Sequence, residues 1–416
     1  MFERLKQNQY FNEVVSFLKM KKLYDSSYIV GGTVRDLLLD CELKDLDFAI
    51  KADTIALARE FAKQTRRNFV LLDEFFSIGR IVKDDVTVDF AELRAGSIEV
   101  DLSERDFTIN AMAVPLSLDK IIDPFEGIKD IKHKLIKMVN EENFKKDPLR
   151  ILRAYRFHAT LNFGIDDETR QALKRNSNLL KLTARERIKE ELWKILSVDS
   201  SIDTVKLMID DGIFNAIFKT DELLPLKPDL KAFETVEKIL KKPEILFLES
   251  SVEIIQKHYI PVCLKFTSIF NFQASELIKQ IKPSKKEQRL VEDLVKASTE
   301  LRKIETVLDK VRFIRNFEQI LYPALIYGLS QDPVGLARAW FYREIDEFYR
   351  KSYIKNKRKL SLITGEDILQ LGFEPSPIVG QILDRIQLML LAGKISKKEE
   401  AIEEIKKRYF LNISPQ

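Results

Sequence analysis

Asp45 and Asp47 stand one residue apart in DLDFAI, and the stretch before them, YIVGGTVRDLLL, sets Gly31 and Gly32 directly ahead of an apolar helical pattern. Side chains alternate along a strand, so the two carboxylates share a face about 7 Å apart. Like charges that close repel, and a hard divalent cation relieves them; Mg²⁺ fits two carboxylates plus phosphate oxygens. A glycine turn that opens a helix brings backbone N–H groups against those same phosphates, joined by Arg35. The neighbouring Asp36 belongs to the same candidate nucleotide-binding set. This is the equipment of in-line phosphoryl transfer, in which cations polarise the phosphorus and activate an attacking hydroxyl. Each part alone has a plainer reading, a tight turn for the glycines and solvated surface for Asp-x-Asp. The order strand, turn, helix, strand makes the combination specific.

Two further stretches carry chemistry. DLSERDFTINAMAVP embeds Arg105, Asp106 and Asn110 in an apolar run. They suit a buried ion pair with a helix cap, or an arginine that neutralises a triphosphate beside a carboxylate that accepts from a ribose hydroxyl. KKDPLRILRAYRFHATL places Asp147 and Arg150 three apart at the expected start of a helix that also carries Arg153 and Arg156. Side by side on a helix, an acceptor and a donor form either a surface ion pair or a reader of a base edge. Asp147 would accept from the exocyclic amine of cytosine or adenine while Arg150 donates to the adjacent ring atom; uracil and guanine present the opposite pattern. IIDPFEGIKDI, with Asp123, Gly127 and Asp130, reads as a structural turn without a catalytic role.

The elements that must position these residues change character along the chain. Up to about residue 140, β-rich runs (NFVLLDEF, SIGRIV, VTVDFAEL) alternate with helical segments such as TIALAREFAKQT. Beyond it, apolar residues recur at three and four spacing, as in ARERIKEELWKIL and SIDTVKLMIDDGIF, which predicts a helical remainder. Proline-bearing breaks fall near residues 225 and 285. At 416 residues the chain exceeds one ordinary core. The net charge of +4 is uneven: the first 140 residues hold 21 basic and 24 acidic side chains, so the rest carries the positive excess expected of a polyanion-binding scaffold. Cys41 and Cys263 are too few for a disulfide framework or a cysteine zinc site. A charged N-terminal segment and the lack of any long apolar run lead to the expectation of a cytoplasmic protein.

Taken in order, VGGTVRDLLL…KDLDFAI, RDFTINAMAV, IIDPFEGIKD, DPLRILRAYRF and ERIKEELWKIL resemble the class II tRNA nucleotidyltransferases, which build the 3′-terminal CCA of tRNA and include bacterial poly(A) polymerases. The later LITGEDILQLGFEPSPIVGQILDRIQ resembles that family's tail. The resemblance implies an α+β protein. A polymerase-β-like nucleotidyltransferase head with a small mixed sheet (1–140) would precede an all-α neck (141–200), body (201–320) and tail (321–416). It implies that Asp45 and Asp47 bind Mg²⁺, that Gly32 and Arg35 contact the triphosphate, that Arg105 and Asp106 bind the nucleotide, and that Asp147 and Arg150 form a protein template. It also suggests Asp89, on a neighbouring strand, as a third acid. The partners implied are CTP, ATP and the acceptor and T arms of tRNA.

The chain departs from the family pattern at Glu104, where relatives often carry arginine, and at Lys146, where they carry glutamate. It also has only nine residues, AGSIEVDLS, between Arg94 and Glu104, where CCA-adding relatives have a longer flexible loop associated with the switch to adding A. The leading expectation is therefore an enzyme that adds CC and leaves A to a separate A-adding enzyme. Complete CCA addition ranks second. A-adding and poly(A) activities rank lower, and a catalytically dead RNA-binding protein last.

Overall fold

The computed structural model describes residues 2–73, 77–83, 85–219, 224–247, 255 and 259–409. Helices α1 (Phe2–Gln7) and α2 (Gln9–Met20) lead into strand β1 (Ser27–Val30), α3 (Gly32–Leu38), β2 (Asp45–Ile50), α4 (Thr54–Thr65), β3 (Asn68–Asp73), β4 (Ile78–Lys83), β5 (Val86–Glu92), α5 (Ile98–Ser103) and β6 (Ala113–Pro115). Six strands form one sheet in the order β3-β4-β5-β2-β1-β6. Its centre, β2 beside β5, is parallel, and the other pairings are antiparallel. The fold is thus α+β with a mixed sheet, as expected.

Strand β2 shows why this sheet can carry charge. Its even-numbered side chains Leu46, Phe48 and Ile50 are buried, and Phe48 meets Phe11 of α2 at 6.3 Å and Phe90 of β5 at 5.9 Å between ring centroids. Phe61 of α4 joins Phe90 at 5.6 Å. On the other face Ala49 packs with Val30, Ile98 and Leu102, while Asp45 and Asp47 lie toward the start of the strand. Alternation therefore lets one short strand anchor an aromatic core and present two carboxylates.

After β6 come α6 (Gly127–Lys132), β7 (Leu135–Ile136), α7 (Glu142–Lys146), α8 (Leu149–Leu161), β8 (Gly164–Ile165), α9 (Asp167–Asn176) and α10 (Arg185–Ser197). Asp123 accepts from the N–H groups of Gly127 and Ile128, and buried Asp130 accepts from the Thr108 hydroxyl, so IIDPFEGIKDI is a structural turn. The chain divides into two compact units, Met1–Ile195 with Asp210–Ile217, and Leu196–Ile209 with Phe218–Gln416. The second unit is helical throughout its described residues. Its helix Lys285–Leu301 starts from a Ser284–Glu287 capping box, which accounts for the break read near residue 285. No helix among the described residues is long and apolar enough to cross a membrane.

Because Phe48 is fully buried between Phe11 of α2 and Phe90 of β5, Phe48→Ala is expected to destabilise the first unit by ~3–5 kcal/mol. Urea unfolding followed by tryptophan-independent circular dichroism checks this, and a loss below ~1 kcal/mol would show that the aromatic core does not depend on it.

Candidate active site

Gly31 links β1 to α3 with φ +64° and ψ −126°, a backbone conformation that side-chain-bearing residues rarely adopt. Space confirms the need. A Cβ at Gly31 would lie 2.6 Å from Arg105 Nη1, and one at Gly32 would lie 3.3 Å from Asp47 Oδ2. The double glycine therefore lets the start of α3 approach the carboxylates of β2. Thr33, fully buried, locks that approach: its hydroxyl donates to the Asp45 carbonyl at 3.0 Å and accepts from the Asp47 N–H at 2.7 Å.

Asp45 is exposed and accepts from the Thr87 hydroxyl, whereas Asp47 is half-buried. Burial, followed by the neighbouring Asp89 charge, pushes the Asp47 carboxyl up to about 6 against the opposing pull of Arg105. This is the strain a bound divalent cation would remove, and two hard oxygen donors fit such an ion. The sheet register sets Asp89 directly beside Asp47, but Arg80, its partner on β4, donates to both Asp89 oxygens at 2.8 and 2.7 Å. The expected third acid is thus turned to an arginine. Among the described residues no three His, Cys, Asp or Glu side chains converge on a metal-sized site.

The remaining candidates are joined by hydrogen bonds across the sheet end and α8. Arg105 donates to buried Asp101 of α5 at 3.1 and 2.8 Å. Arg35 pairs with Asp36 at 2.8 Å and donates to Asn110 Oδ1 at 2.7 Å. Asn110 donates in turn to Asp106 Oδ1 at 3.0 Å, and Arg153 to Asp106 Oδ2 at 2.7 Å. Burial alone would raise the Asp106 carboxyl, but the Arg153 and Arg150 charges and the Asn110 bond outweigh it and hold it far below the usual range. Both Asp106 oxygens are occupied within the chain, so its place is that of an anchor between Asn110 and Arg153. Arg156 turns to Glu191 of α10 at 2.7 Å, with its guanidinium 4.1 Å from the Phe157 ring centroid. Arg35 and Arg153 flank the same ring at 5.1 and 5.4 Å.

Asp147 and Arg150 are not neighbours on one helix, contrary to the sequence reading. Asp147 is extended (φ −142°, ψ 95°) and α8 begins at Leu149, because a residue before proline, here Pro148, avoids the helical region. The Asp147 carboxylate accepts from Arg187 of α10 at 3.2 and 3.0 Å, while Arg150, buried, donates to the Glu104 carbonyl at 2.7 Å.

Comparison with known proteins gives this arrangement its context. Family models match the poly A polymerase head domain over residues 27–100 and 95–137, the "probable RNA and SrmB-binding site of polymerase A" over 162–223, and tRNA nucleotidyltransferase domain 2 over 259–405. A CC-adding tRNA nucleotidyltransferase of Synechocystis is 31% identical over 383 residues, covering 90% of this chain and 91% of that protein. The chain belongs to the tRNA nucleotidyltransferase and poly(A) polymerase family. It is an enzyme of nucleotidyl transfer. A CCA-adding enzyme of Ligilactobacillus salivarius is 28% identical over 410 residues, 94% of each chain. A solved CCA-adding enzyme with ATP matches with a TM-score of 0.71 at 22% identity over 98% of this chain and 97% of that one, a likeness of fold.

Within this nucleotidyltransferase, the two departures from the family pattern are partners. Lys146 Nζ lies 3.0 Å from Glu104 Oε1, and Arg94 reaches the other Glu104 oxygen at 3.3 Å. Thr33, Arg80, Asp101, Asn143 and Arg187 were not singled out from sequence. Thr33 carried a local signal, a hydroxyl at the first turn of a helix beside a double glycine, and Asp101 another, a carboxylate four positions before Arg105; Arg80, Asn143 and Arg187 act through partners nine to forty positions away.

Proton and cation should compete for Asp47. Its carboxyl lies above the ordinary value of about 4, so in the cation-free protein it favours the folded state below that value and this contribution is lost as pH rises through about 6. Divalent-cation affinity should accordingly fall ~tenfold per pH unit below 6 and level off above 7. Calorimetric titration with MgCl₂ from pH 5 to 8 tests this, and a flat profile would contradict it.

Proposed function

We propose that this enzyme adds two cytidines to the 3′ end of tRNA from CTP, with release of pyrophosphate, and stops there. The observation that carries the reading is the segment between Arg94 and Glu104. It is filled by α5, whose Ile98 and Leu102 are 4% and 0% exposed and pack with Val30, Ala49 and Ala113. A segment that short, with its apolar side anchored in the core, supplies no long mobile arm to reshape a base pocket after the second cytidine. The CC-adding activity named for the Synechocystis relative supports the same reading.

In this reading Asp45 and Asp47 hold Mg²⁺, which when bound neutralises charge on the triphosphate. The start of α3, Arg35 and Arg105 orient the phosphates so that the tRNA 3′ oxygen and the leaving pyrophosphate are in line across the α-phosphorus. The 3′ hydroxyl gives up its proton to solvent as its oxygen–phosphorus bond forms and the bond to pyrophosphate breaks. Asp89 acts through its charge on Asp47. Asp147 accepts from the cytosine amine with a lone pair that Arg187 leaves open, and Arg150 donates to the adjacent ring atom from the N–H groups not committed to Glu104. Asp106, Asn110 and Arg153 tie Arg35 beside the glycine turn to α8. We assign residues 1–140 as head, 141–200 as neck, 201–320 as body and 321–416 as tail, the helical parts gripping the acceptor and T arms. We place the enzyme in the cytoplasm, where a separate A-adding enzyme would complete the end.

Complete CCA addition is the second reading, favoured by the CCA-adding name of the Ligilactobacillus relative and by the match of an acceptor–donor pair to adenine as well as cytosine. Product lengths on tRNAs lacking CCA, CA and only A, with CTP and ATP supplied separately and together, distinguish the two. We expect two cytidines to be added and A addition to be at least ~tenfold slower than the second cytidine. Efficient CCA synthesis would promote the second reading. Asp45→Ala and Asp47→Ala should each abolish incorporation while retaining the fold; turnover near wild type in either would remove the carboxylates from the mechanism.

A further inference from the structure

Four consecutive carbonyls, from Ser103 to Asp106, all accept hydrogen bonds from the segment 139–150. Asn143 Nδ2 donates to Ser103 at 2.9 Å and to Arg105 at 2.8 Å. Arg150 donates to Glu104 at 2.7 Å, and the Val139 N–H to Asp106 at 3.1 Å. Outside these backbone bonds, Lys146 holds the Glu104 side chain. Asn143 is 3% exposed, and both protons of its amide are spent on the two carbonyls that flank Glu104. The main chain at Arg105 therefore has its height and register set by a residue of α7, thirty-eight positions away.

That register matters because the Arg105 guanidinium has little slack. It is tied to Asp101 at its far end and lies 2.6 Å from where a Cβ of Gly31 would sit. A shift of a few tenths of an ångström in the Arg105 backbone changes how its free N–H groups meet an anion at the glycine turn. We propose that Asn143 is a positioning residue that aims Arg105 at the triphosphate. Arg150 shares the task through the Glu104 carbonyl, so that base reading and phosphate placement move as one. This rests on the reading of Arg105 as a phosphate contact. An asparagine serves here because its uncharged, short-tethered primary amide gives two donors from one nitrogen to two buried carbonyls; aspartate would set an oxygen against both, and alanine would leave space for water to donate instead.

The test is equilibrium binding of CTP and CMP to the full chain with Mg²⁺, since the two nucleotides share base and ribose and differ only in the phosphates beyond the first. Wild type should bind CTP more tightly than CMP. Asn143→Asp should weaken CTP by ~tenfold, the loss of about one well-made hydrogen bond, while CMP stays within about twofold. Asn143→Ala should show the same selective loss to a smaller degree, and it carries the test if the aspartate variant does not fold. Equal weakening of both nucleotides would mean general loosening and would overturn the proposal, as would unchanged CTP affinity in a folded variant. A wild type that binds CTP no tighter than CMP would instead remove the phosphate role of Arg105 on which the proposal stands.

Discussion

Negative charge crowded onto one edge of a sheet is the constraint around which the first unit is built. Asp45, Asp47 and Asp89 lie on adjacent positions of two parallel strands, and Asp47 is half-buried among them. Such an arrangement raises the cost of ionisation and persists only if the surrounding fold holds it in place. The hold comes from opposite directions. On one face Phe48 and Phe90 bind β2 and β5 to an aromatic core, so the strands cannot part. On the other, Arg80 balances Asp89 and the Thr33 hydroxyl clasps the backbone on either side of Leu46. The cluster is strained electrostatically and rigid mechanically, which is the condition under which the proposed reading would give preorganised charge a catalytic use.

The same charge accounting extends into α8. Asp106 is buried with both oxygens occupied, and removing it would take from Arg153 the carboxylate it donates to. Its value lies less in stability than in linkage. Arg35 beside the glycine turn, Asn110, Asp106 and Arg153 form one hydrogen-bonded line, and Arg35, Arg153 and Arg156 surround a single phenylalanine ring. The shared ring and the acids beside it hold these guanidiniums at fixed spacing. The Glu104–Lys146 pair adds a further tie, from Glu104 to α7.

Much of this was legible in the chain itself. The period-two pattern of DLDFAI, the double glycine before an apolar run and the three-and-four spacing after residue 140 each report local geometry, and β2, the turn and the helices stand where those patterns place them. Local steric and periodic rules suffice for such features because they act over a few residues. The reading of Asp147 and Arg150 as helix neighbours failed on a local rule too, since Pro148 displaces the helix start by two residues. Asp89 could be placed on its strand but not given its partner: the register that sets Arg80 beside it is decided by the pairing of β4 with β5.

By itself, then, the sequence determined the alternating strands and helices followed by a helical remainder, the carboxylate pair on one strand face, the glycine approach to it and the family to which the motifs point. Tertiary structure alone decided which arginine answers which acid. Arg105 pairs with Asp101, Arg153 with Asp106, Arg156 with Glu191 and Arg187 with Asp147, and Asn143 closes on carbonyls far back in the chain. Four of those five links cross 35 residues or more or join different elements, and the chain offers many basic residues for each acid. Coulomb attraction does not read sequence separation; the choice among them falls to the packing of Phe157, Leu102 and Phe48, which brings only certain charges within hydrogen-bond reach.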